Sequence, residues 1–534
     1  MQPAPSLTFL GAARTVTGSK YLLTIGERRI LIDAGLFQGE KEWRLKNWED
    51  FPVPPDTITD IVLTHAHLDH CGFLPALVKH GFDGPVWCTA GTRHLAEIVL
   101  RDAGFLAERD TLEALEGGWS KHHPPLPIYT SADVERALPL LTPVRYDEDA
   151  DLGDGVTLRL TRAGHILGSA SATITTEHTS ILFSGDLGRH DHPVLRAHDT
   201  PPGAAYVVVE STYGDREHPD VRNLPHERFA DVIRRTVARG GSVLVPAFAI
   251  DRTEVVMRTL SQLRQDGRIP DVPIYVNSPM ASAALDVYRE ARAELRPDLD
   301  LDDFVKVPNV VRVRTADESM ALTRSHRGPS IIISSSGMMS GGRVLHHLRQ
   351  MLPDTRNSVV LTGYQAQGTR GRTLLDGATQ LKMHGQYVPV RAEIALDDEF
   401  SVHADGSDLI DWLRALTPPP ATVFVTHGEE DSARAFADRI HRELAWPGVV
   451  PHFGEVVVLR ATSAYAAPAA PSVDSPQPSP PPSPAGAGAG AGVGAGAGVV
   501  TVPVPAPSVS ADLAVRERTD ETIVLEGTIT IRLR

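Results

Sequence analysis

The first part of the chain alternates short apolar runs with polar turns, a pattern typical of β-strands. The first three runs predict a β-meander, at residues 7–10, 21–25 and 29–32. Later runs predict further strands at residues 61–63, 86–89, 156–160, 172–175 and 181–184. Helical spacing occurs between them, most clearly over residues 92–118. This part of the chain is therefore expected to consist mainly of short strands joined by turns.

From about residue 207 the pattern changes to strands that alternate with helices. The predicted strands are residues 207–209, 243–246, 274–276, 331–333 and 359–361. Two helices are predicted between them, at residues 229–237 and 255–263. Alternation of this kind predicts an α/β layer around a parallel sheet. The pattern of the first part resumes afterwards. It predicts strands at residues 388–394, 422–425 and 456–459 and a helix at residues 408–416. The alternating part is therefore predicted to be an inserted domain.

The composition changes abruptly after Ala461 to proline, alanine, glycine and serine. Such a segment buries too little apolar surface to fold, so a disordered tail or linker is predicted. Residues 522–534 alternate again and predict a terminal hairpin that turns at Glu526-Gly527. The whole pattern divides the chain into four parts, namely 1–208, an inserted domain 209–388, a return segment 389–461 and a tail 462–534.

Charge and cysteine content narrow the classes of function. The chain has 534 residues, with 52 lysines and arginines against 67 acidic residues and a net charge of −15. An acidic chain is not the profile of a protein that coats nucleic acid through a basic face. Only two cysteines are present, which fits a reducing compartment. Neither a signal peptide nor an apolar run of membrane-spanning length is visible, so we expect a cytoplasmic protein without membrane contact.

Residues that bind metals follow several of the predicted strands. Three histidines and an aspartate lie within residues 64–70, directly after the strand at 61–63. These histidines could instead be solvated side chains at the end of a strand, without a metal. Four residues of ligand type within seven positions favour a metal site over that alternative. The candidate ligands along the whole chain are His65, His67, Asp69, His70, His165, Asp186 and His427.

Seven ligands are too many for one zinc ion, which takes about four in proteins. They suit two Zn²⁺ ions that share a carboxylate. We assign one ion to His65, His67 and His165. The second ion is assigned to Asp69, His70 and His427, with Asp186 between the two ions. Two metals about 3.5–4 Å apart activate a bridging water and stabilise charge on a phosphate.

The pattern His-x-His-x-Asp-His, with a later His, Asp and His, resembles that of the metallo-β-lactamase fold. The resemblance implies an αββα sandwich whose metal-binding loops gather at one edge of two facing sheets. It is specific for fold and metal but weak for substrate, because lactamases, glyoxalases, lactonases and nucleases share it.

Segments in the second half resemble those of the β-CASP family of nucleases. Three of them match the family's motifs, at residues 210–214 (ESTYG), 401–405 (SVHAD) and 426–429 (THGE). Further similarity lies at residues 245–249, 277–281, 335–343 and 363–369. The resemblance spans about residues 6–460, and it is nearest to prokaryotic relatives of the endonuclease of mRNA 3′-end processing. It implies an α/β β-CASP domain inserted in a metallo-β-lactamase domain, and a homodimer.

His427 favours RNA as substrate, because members of this family that act on RNA carry histidine in the last motif. The expected activity is that of a zinc-dependent ribonuclease that cuts single-stranded RNA through a metal-bridging hydroxide. It is expected to act mainly as an endonuclease, with 5′-exonuclease action as a second mode. The predicted catalytic residues are Asp69, Glu210 and His403. His403 would protonate the leaving oxygen, and Glu210 would orient His403 and raise its proton affinity.

Other residues are given supporting roles. Ser335, Ser336 and Gly337 are predicted to offer donors to RNA phosphates, and Arg343 and Arg370 to clamp them. Surface arginines without that role are equally consistent with the sequence. Asp33, after the strand at 29–32, is either a turn residue or a group that orients a metal-binding histidine.

The chain departs from the family pattern at Val402, Asp251 and Asn277, where alanine, glycine and aspartate are common. None of these departures removes a ligand or the proposed acid. Two alternatives to the ribonuclease remain. A hydrolase of a small ester or thioester would have no inserted domain, and a catalytically silent RNA-binding scaffold would lack ligands or the acid.

Overall fold

The structure is a computed structural model. It describes residues 4–117, 125–218, 225–299, 308–325, 328–383, 385–460, 508–518 and 523–532. The chain divides into two compact units, Met1–Ala469 and Ala470–Arg534. None of the helices in these ranges is both long enough and apolar enough to cross a lipid bilayer.

One seven-stranded sheet is built mainly from the start of the chain. In spatial order its strands are Val456–Val458, Ser6–Phe9, Tyr21–Ile25, Arg28–Ile32, Asp60–Val62, Val86–Cys88 and Leu141–Pro143. The first four strands pair antiparallel, which confirms the predicted meander, and the pairs from Arg28–Ile32 onwards are parallel. The return segment supplies the edge strand Val456–Val458, so both ends of this part of the chain meet in one sheet.

A second seven-stranded sheet packs against the first. Its strands in spatial order are Gly448–Val449, Thr422–Val425, Tyr206–Val209, Ser180–Phe183, Ala170–Thr175, Val156–Arg162 and Asp149–Gly153. The strands Ser180–Phe183, Tyr206–Val209 and Thr422–Val425 are parallel neighbours. Apolar side chains from both sheets form one buried core, including Phe9, Ile32, Ile174 and Phe424.

Helices cover the outer face of each sheet, which completes an αββα sandwich. The first sheet is covered by Leu74–Lys79, Ala90–Gly117 and Ser131–Ala137. The second sheet is covered by Gly406–Ala415 and Glu430–Leu444. Shorter helical turns lie in the loops, at Lys41–Leu45, Lys46–Trp48, Pro55–Thr57, Leu68–Cys71, Leu138–Leu140 and Asp398–Phe400.

The inserted domain is a three-layer α/β structure. Its six parallel strands in spatial order are Val310–Arg312, Ile274–Asn277, Ile331–Ser335, Val243–Ala247, Ser358–Leu361 and Glu393–Leu396. One face packs against the helices Glu227–Ala238, Arg252–Gln265 and Pro279–Glu290. The other face packs against Ala316–Ser325, Arg343–Met351 and Arg370–Leu375. The predicted parallel α/β layer is confirmed, but its first predicted strand, at residues 207–209, lies in the second sheet of the sandwich.

The strand predicted at residues 388–394 is wrong in its bounds. A hairpin of Gln380–Met383 with Gln386–Pro389 occupies its first half. The strand Glu393–Leu396 is a separate element that pairs with Ser358–Leu361 of the inserted sheet. The inserted sheet therefore extends past residue 388, where the sequence analysis ended the inserted domain. Both short segments are rich in apolar residues, and the pattern alone did not separate them.

The second unit contains an antiparallel hairpin of Ser508–Arg518 with Ile523–Arg532. A terminal hairpin was predicted, but its turn was placed wrongly. Glu526 and Gly527 lie inside the second strand and pair with Ala514 and Leu513. The first strand of this hairpin, Ser508–Arg518, was not predicted, because its segment was included in the disordered tail. Residues 462–507, the part of the predicted disordered tail that precedes the hairpin, lie outside the described residues.

Candidate metal centre and active site

The seven candidate ligands lie where strands of the two facing sheets end. The strand Asp60–Val62 leads to His65, His67, Asp69 and His70, and Val156–Arg162 leads to His165. Asp186, Glu210 and His427 follow the parallel neighbours Ser180–Phe183, Tyr206–Val209 and Thr422–Val425. Because parallel strands end at the same edge of a sheet, these side chains converge there.

Close backbone contacts hold the loops together at this edge. A Cβ at Gly188 would lie 1.9 Å from the carbonyl oxygen of Gly164, and a Cβ at Gly35 would lie 1.7 Å from that of Asp69. Only glycine fits at such distances. The contact at Gly188 brings together the loops that carry His165 and Asp186, and the contact at Gly35 holds the loop after Asp33 against the one that carries Asp69.

A first ligand group consists of His65, His67, His165 and Asp186. His67 Nδ1 lies 3.1 Å from His65 Nε2 and 3.3 Å from His165 Nε2. Asp186 Oδ2 lies 3.6 Å from His65 Nε2 and 3.7 Å from His165 Nε2. Three imidazoles and one carboxylate therefore point at one place.

A second ligand group consists of Asp69, His70 and His427. His427 Nε2 lies 3.1 Å from His70 Nε2 and 3.5 Å from Asp69 Oδ2. The other carboxylate oxygen of Asp186, Oδ1, lies 3.4 Å from His70 Nε2. Asp186 therefore lies between the two groups, as the sequence analysis placed it.

These distances fit metal ions. Ligands bound to a tetrahedral zinc at about 2.0–2.1 Å are about 3.3 Å apart, close to the spacings in both groups. Asp186 Oδ1 is buried and, among the described residues, has no hydrogen bond of regular geometry. A buried carboxylate oxygen without a regular hydrogen bond is costly, and a cation would satisfy it. The donor set of imidazole and carboxylate suits zinc and other first-row divalent metals.

Burial and charge give the two groups different protonation tendencies. Burial lowers the pKa of His67 to about 4, and it lowers the pKa values of His65 and His165 well below the usual range. Their imidazoles are neutral at pH 7 and offer free lone pairs. Burial also acts to lower the pKa of His70. The negative charges of Asp186 and Asp33 outweigh this effect and raise the pKa of His70 well above its usual value.

Asp33 orients a ligand of the second group. Its Oδ2 lies 2.7 Å from His70 Nδ1, and its carboxylate also accepts hydrogen bonds from the amide and hydroxyl of Thr64. The contact fixes which nitrogen of His70 faces the metal position. Asp33 is 1% exposed and has φ 58°, so it is both a turn residue and a support for a ligand.

Glu210 and His403 form a pair beside the first ligand group. Glu210 Oε2 lies 3.3 Å from His403 Nδ1, and the ring centroids of His403 and His165 are 4.4 Å apart. The Leu187 amide donates a hydrogen bond of 2.6 Å to Glu210 Oε1, which fixes the carboxylate. His218 Nε2 lies 2.7 Å from the carbonyl oxygen of His403 and anchors its backbone.

A cleft of about 280 Å³ opens over the metal-binding residues, between the sandwich and the inserted domain. His403 and Asp69 line it on the sandwich side. Ser335, Ser336 and Gly337 line the opposite wall, as the prediction of phosphate contacts requires. Gly337 packs against the Phe248 ring, since a Cβ there would lie 3.0 Å from a ring carbon.

Arg343 and Arg370 do not line this cleft. Arg343 donates hydrogen bonds to the side chain of Asn277 and to the carbonyl oxygens of Val313 and Arg314. Arg370 donates to three carbonyl oxygens, those of Lys382, Met339 and Ser340. Both guanidinium groups therefore hold loops of the inserted domain together, while their predicted phosphate contacts stay predictions.

Sequence reasoning missed several residues of the site. Thr212 Oγ1 lies 3.1 Å from His427 Nδ1, and Phe248 and Arg252 line the cleft. Thr212 and Phe248 lie in segments that carried the family resemblance, so a signal was present. For Arg252, which is 7% exposed, neither composition nor spacing gave one.

Three family models match consecutive parts of the chain. The Metallo-beta-lactamase superfamily model matches residues 14–216, and the Beta-Casp domain model matches residues 253–374. A model described as Zn-dependent metallo-hydrolase RNA specificity domain matches residues 387–451. The last of these contains both His403 and His427.

Curated relatives match over most of the chain. Ribonuclease TTHA0252 of Thermus thermophilus is 38% identical over 431 residues, which cover 80% of this chain and 93% of that protein. Transcription termination factor FttA of Methanocaldococcus jannaschii is 31% identical, over 82% of this chain and 69% of that protein. The RNase J-like protein of the same organism is 30% identical, over 84% of this chain and 99% of that protein. The fold, the ligand groups and these matches agree, and the chain belongs to the β-CASP family of the metallo-β-lactamase superfamily.

Proposed function

We propose that the protein is a zinc-dependent ribonuclease that hydrolyses phosphodiester bonds of RNA. It acts mainly as an endonuclease, with 5′-exonuclease action as a second mode. The observation that carries this proposal is the pair of ligand groups that share Asp186 at the base of the cleft. The names of the relatives support RNA as the substrate.

Two zinc ions would occupy the two groups, one held by His65, His67 and His165 and the other by Asp69, His70 and His427. Asp186 would contact both through its two oxygens. Such a pair of ions supplies an activated water and stabilises negative charge on the phosphate. The side chains keep the two positions close together, because Asp186 can reach both without moving.

His403 supplies the proton that the leaving oxygen needs. Its Nδ1 faces Glu210 at 3.3 Å, which leaves Nε2 as the nitrogen that gives the proton to the leaving group. Glu210 stabilises the protonated imidazole and keeps the ring in place. Hydrogen bonds within such pairs are often poorly aligned until substrate binds, so this distance is compatible with the role.

The wall opposite the metal centre would hold the RNA backbone. Ser335 and Ser336 offer hydroxyl groups, and residues 340–342 precede the helix Arg343–Met351. The N-terminus of a helix favours phosphate, because its first amides are free and its dipole is positive there. Gly342, the N-cap, has φ 78° and open space around its Cβ position, so the backbone is accessible to a ligand.

The two alternatives fit less well. A hydrolase of a small ester or thioester predicts a sandwich without an inserted domain, whereas six parallel strands are inserted here. A silent scaffold predicts missing ligands, whereas all seven converge together with Glu210 and His403. A preference for single-stranded RNA, a cytoplasmic location and a homodimer stay predictions.

One assay with three substrates tests this proposal. Zinc-loaded protein is incubated with labelled single-stranded RNA, with DNA of the same sequence and with a small ester. We expect cleavage of RNA, and loss of cleavage in Asp186→Ala and His403→Ala. His178→Ala, a substitution of a histidine whose side chain is 68% exposed, serves as control and should cleave at the wild-type rate. RNA cleavage that survives in both variants would refute the mechanism, and hydrolysis of the ester alone would favour the alternative enzyme.

A further inference from the structure

The loop that carries His165 is held by the inserted domain. The Leu167 amide lies 3.3 Å from the hydroxyl oxygen of Tyr288, and the Gly168 amide donates a 2.8 Å hydrogen bond to Glu294 Oε2. Tyr288 lies in the helix Pro279–Glu290, and Glu294 in the turn that follows. Two consecutive amides next to His165 therefore depend on side chains from the other domain.

Tyr288 is itself held by a residue of the inserted domain. Its hydroxyl donates a 3.0 Å hydrogen bond to Asp251 Oδ1 while it accepts from Leu167. Tyr288 is fully buried and Asp251 is 1% exposed. The hydroxyl uses its single proton and one lone pair in these two contacts, so its orientation is fixed.

Asp251 connects back to the sandwich through His192. His192 Nδ1 accepts hydrogen bonds from the amides of Val194 and Leu195, so the ring proton lies on Nε2. That nitrogen lies 3.2 Å from Asp251 Oδ2 and donates to it. The row of hydrogen bonds from His192 through Asp251 and Tyr288 to Leu167 crosses the domain boundary twice.

The backbone conformation of Asp251 indicates that its carboxylate has a structural role. Its φ is 66° and ψ is −54°, in a region that glycine adopts easily and that strains other residues. The chain nevertheless carries aspartate here, and both carboxylate oxygens accept a hydrogen bond. The strained position delivers a buried carboxylate to Tyr288, which glycine would not do.

The same loop sets the position of His165. Ser169 Oγ accepts a hydrogen bond from the His165 amide at 2.9 Å, and the hydroxyls of Thr89 and Thr92 donate to the carbonyl oxygen of Gly168. Leu167 is two residues from His165, so a shift of its amide changes the backbone that carries the imidazole. His165 Nε2 must stay near 3.3 Å from His67 Nδ1 for both to bind one ion.

We propose that Tyr288 and Asp251 are positioning residues for His165, acting through the Leu167 amide, so that the inserted domain controls metal binding in the first ligand group. The inference rests on the proposed role of His165 as a metal ligand. It is independent of the identity of the substrate, because Tyr288 and Asp251 act on the position of a metal ligand.

Zinc affinity tests this inference without RNA. Zinc dissociation constants are measured by competition with a chromophoric chelator in Tyr288→Phe, which removes one hydroxyl, and in Asp251→Asn, which keeps the size of the side chain. We expect each variant to bind the first-group ion about tenfold more weakly, as is usual when a group that supports a ligand is removed. Tyr206→Phe is the matched control, because it also removes a tyrosine hydroxyl that accepts a backbone amide, that of Arg460. Its zinc affinity should not change.

A combination with His165→Ala separates positioning from general stability. If Tyr288 acts through His165, adding Tyr288→Phe to His165→Ala should weaken zinc binding no further. Hydrogen exchange at residues 164–169 should rise in Tyr288→Phe. Folded Tyr288→Phe and Asp251→Asn proteins with wild-type zinc affinity would overturn the inference, provided that His165→Ala binds zinc more weakly. Unchanged zinc affinity in His165→Ala would instead overturn the proposed metal centre together with the inference.

Discussion

The metal centre and the wall of the cleft that faces it are built from opposite kinds of structure. At the metal centre, side chains at the ends of strands converge, and those strands lie in two packed sheets. On the facing wall, loops of the inserted domain present hydroxyl groups and backbone, at Ser335, Ser336 and Gly342. Arg343, which belongs to the same domain but does not line the cleft, donates hydrogen bonds to that domain's own carbonyl oxygens.

This difference indicates a division of roles. In the proposed mechanism the sandwich supplies the groups that react, and hydrogen bonds such as that between Asp33 and His70 hold its candidate ligands in place. The inserted domain supplies shape and, through Tyr288, support for a metal-binding loop. Substitutions at the metal centre should therefore change chemistry, whereas substitutions on the wall should change stability or binding.

Replacing the proposed acid should have the largest effect among substitutions that spare the ligands. In His403→Ala, we expect the single-turnover rate of RNA cleavage to fall about 10²–10⁴-fold, because the leaving oxygen loses its proton donor. Zinc content should stay at the wild-type value, since His403 is not assigned as a ligand. A variant that cleaves RNA at the wild-type rate would show that the sandwich does not supply the acid through this residue.

Asp33 tests whether the metal centre depends on its supporting hydrogen bonds. In Asp33→Asn, His70 loses a charged partner, and we expect zinc to bind the second ligand group about 10–100-fold more weakly. The first group should keep its affinity, so titration with a chelator should resolve one weakened ion. If zinc bound both ligand groups more weakly to the same extent, Asp33 would support all the metal-binding loops at this edge of the sheets and not His70 in particular.

Arg343 tests the division of roles from the other side of the cleft. Lysine keeps the positive charge but loses the planar fork that reaches Asn277 and two carbonyl oxygens. For Arg343→Lys we expect the free energy of unfolding to fall by about 1 kcal/mol. RNA affinity at low salt should stay near the wild-type value, as measured by fluorescence anisotropy. A large loss of affinity with unchanged stability would restore Arg343 as a phosphate contact.

Removing the tail should have the smallest effect. A chain that ends at Ala461 keeps both sheets of the sandwich, the inserted domain and every candidate site residue. We expect it to cleave RNA at the wild-type rate under multiple-turnover conditions. A large loss of activity would give the second unit a role in the reaction.

Much of the fold was accessible from the sequence, because short apolar runs with period two and longer runs with helical spacing are distinct signals. The meander at residues 7–32 and the parallel layer from residue 243 onwards follow from these signals. The same signals grouped residues 207–209 with that layer, whereas these residues pair in the second sheet of the sandwich. Residues 386–396 show where the signals fail. Two short strands of different sheets follow each other there, and only the pairing of Glu393–Leu396 with Ser358–Leu361 separates them.

The candidate ligands could be identified in the sequence because each lies shortly after an apolar run. Their convergence in space has a different origin. Asp186 and His427 come together because Ser180–Phe183, Tyr206–Val209 and Thr422–Val425 are neighbours in one sheet although they are far apart in sequence. The spacing of residues along the chain does not contain that order of strands. Local pattern also gives no sign that Asp251 adopts φ 66° or that the Arg343 guanidinium binds carbonyl oxygens.

Zinc content per chain, measured by native mass spectrometry on the samples used for RNA cleavage, tests the central claim most directly. Two zinc ions should be present in active wild-type protein. One ion should be lost in His165→Ala and one in His427→Ala, each with loss of cleavage. Full cleavage by protein that carries one zinc ion per chain would contradict a centre of two ions that share Asp186.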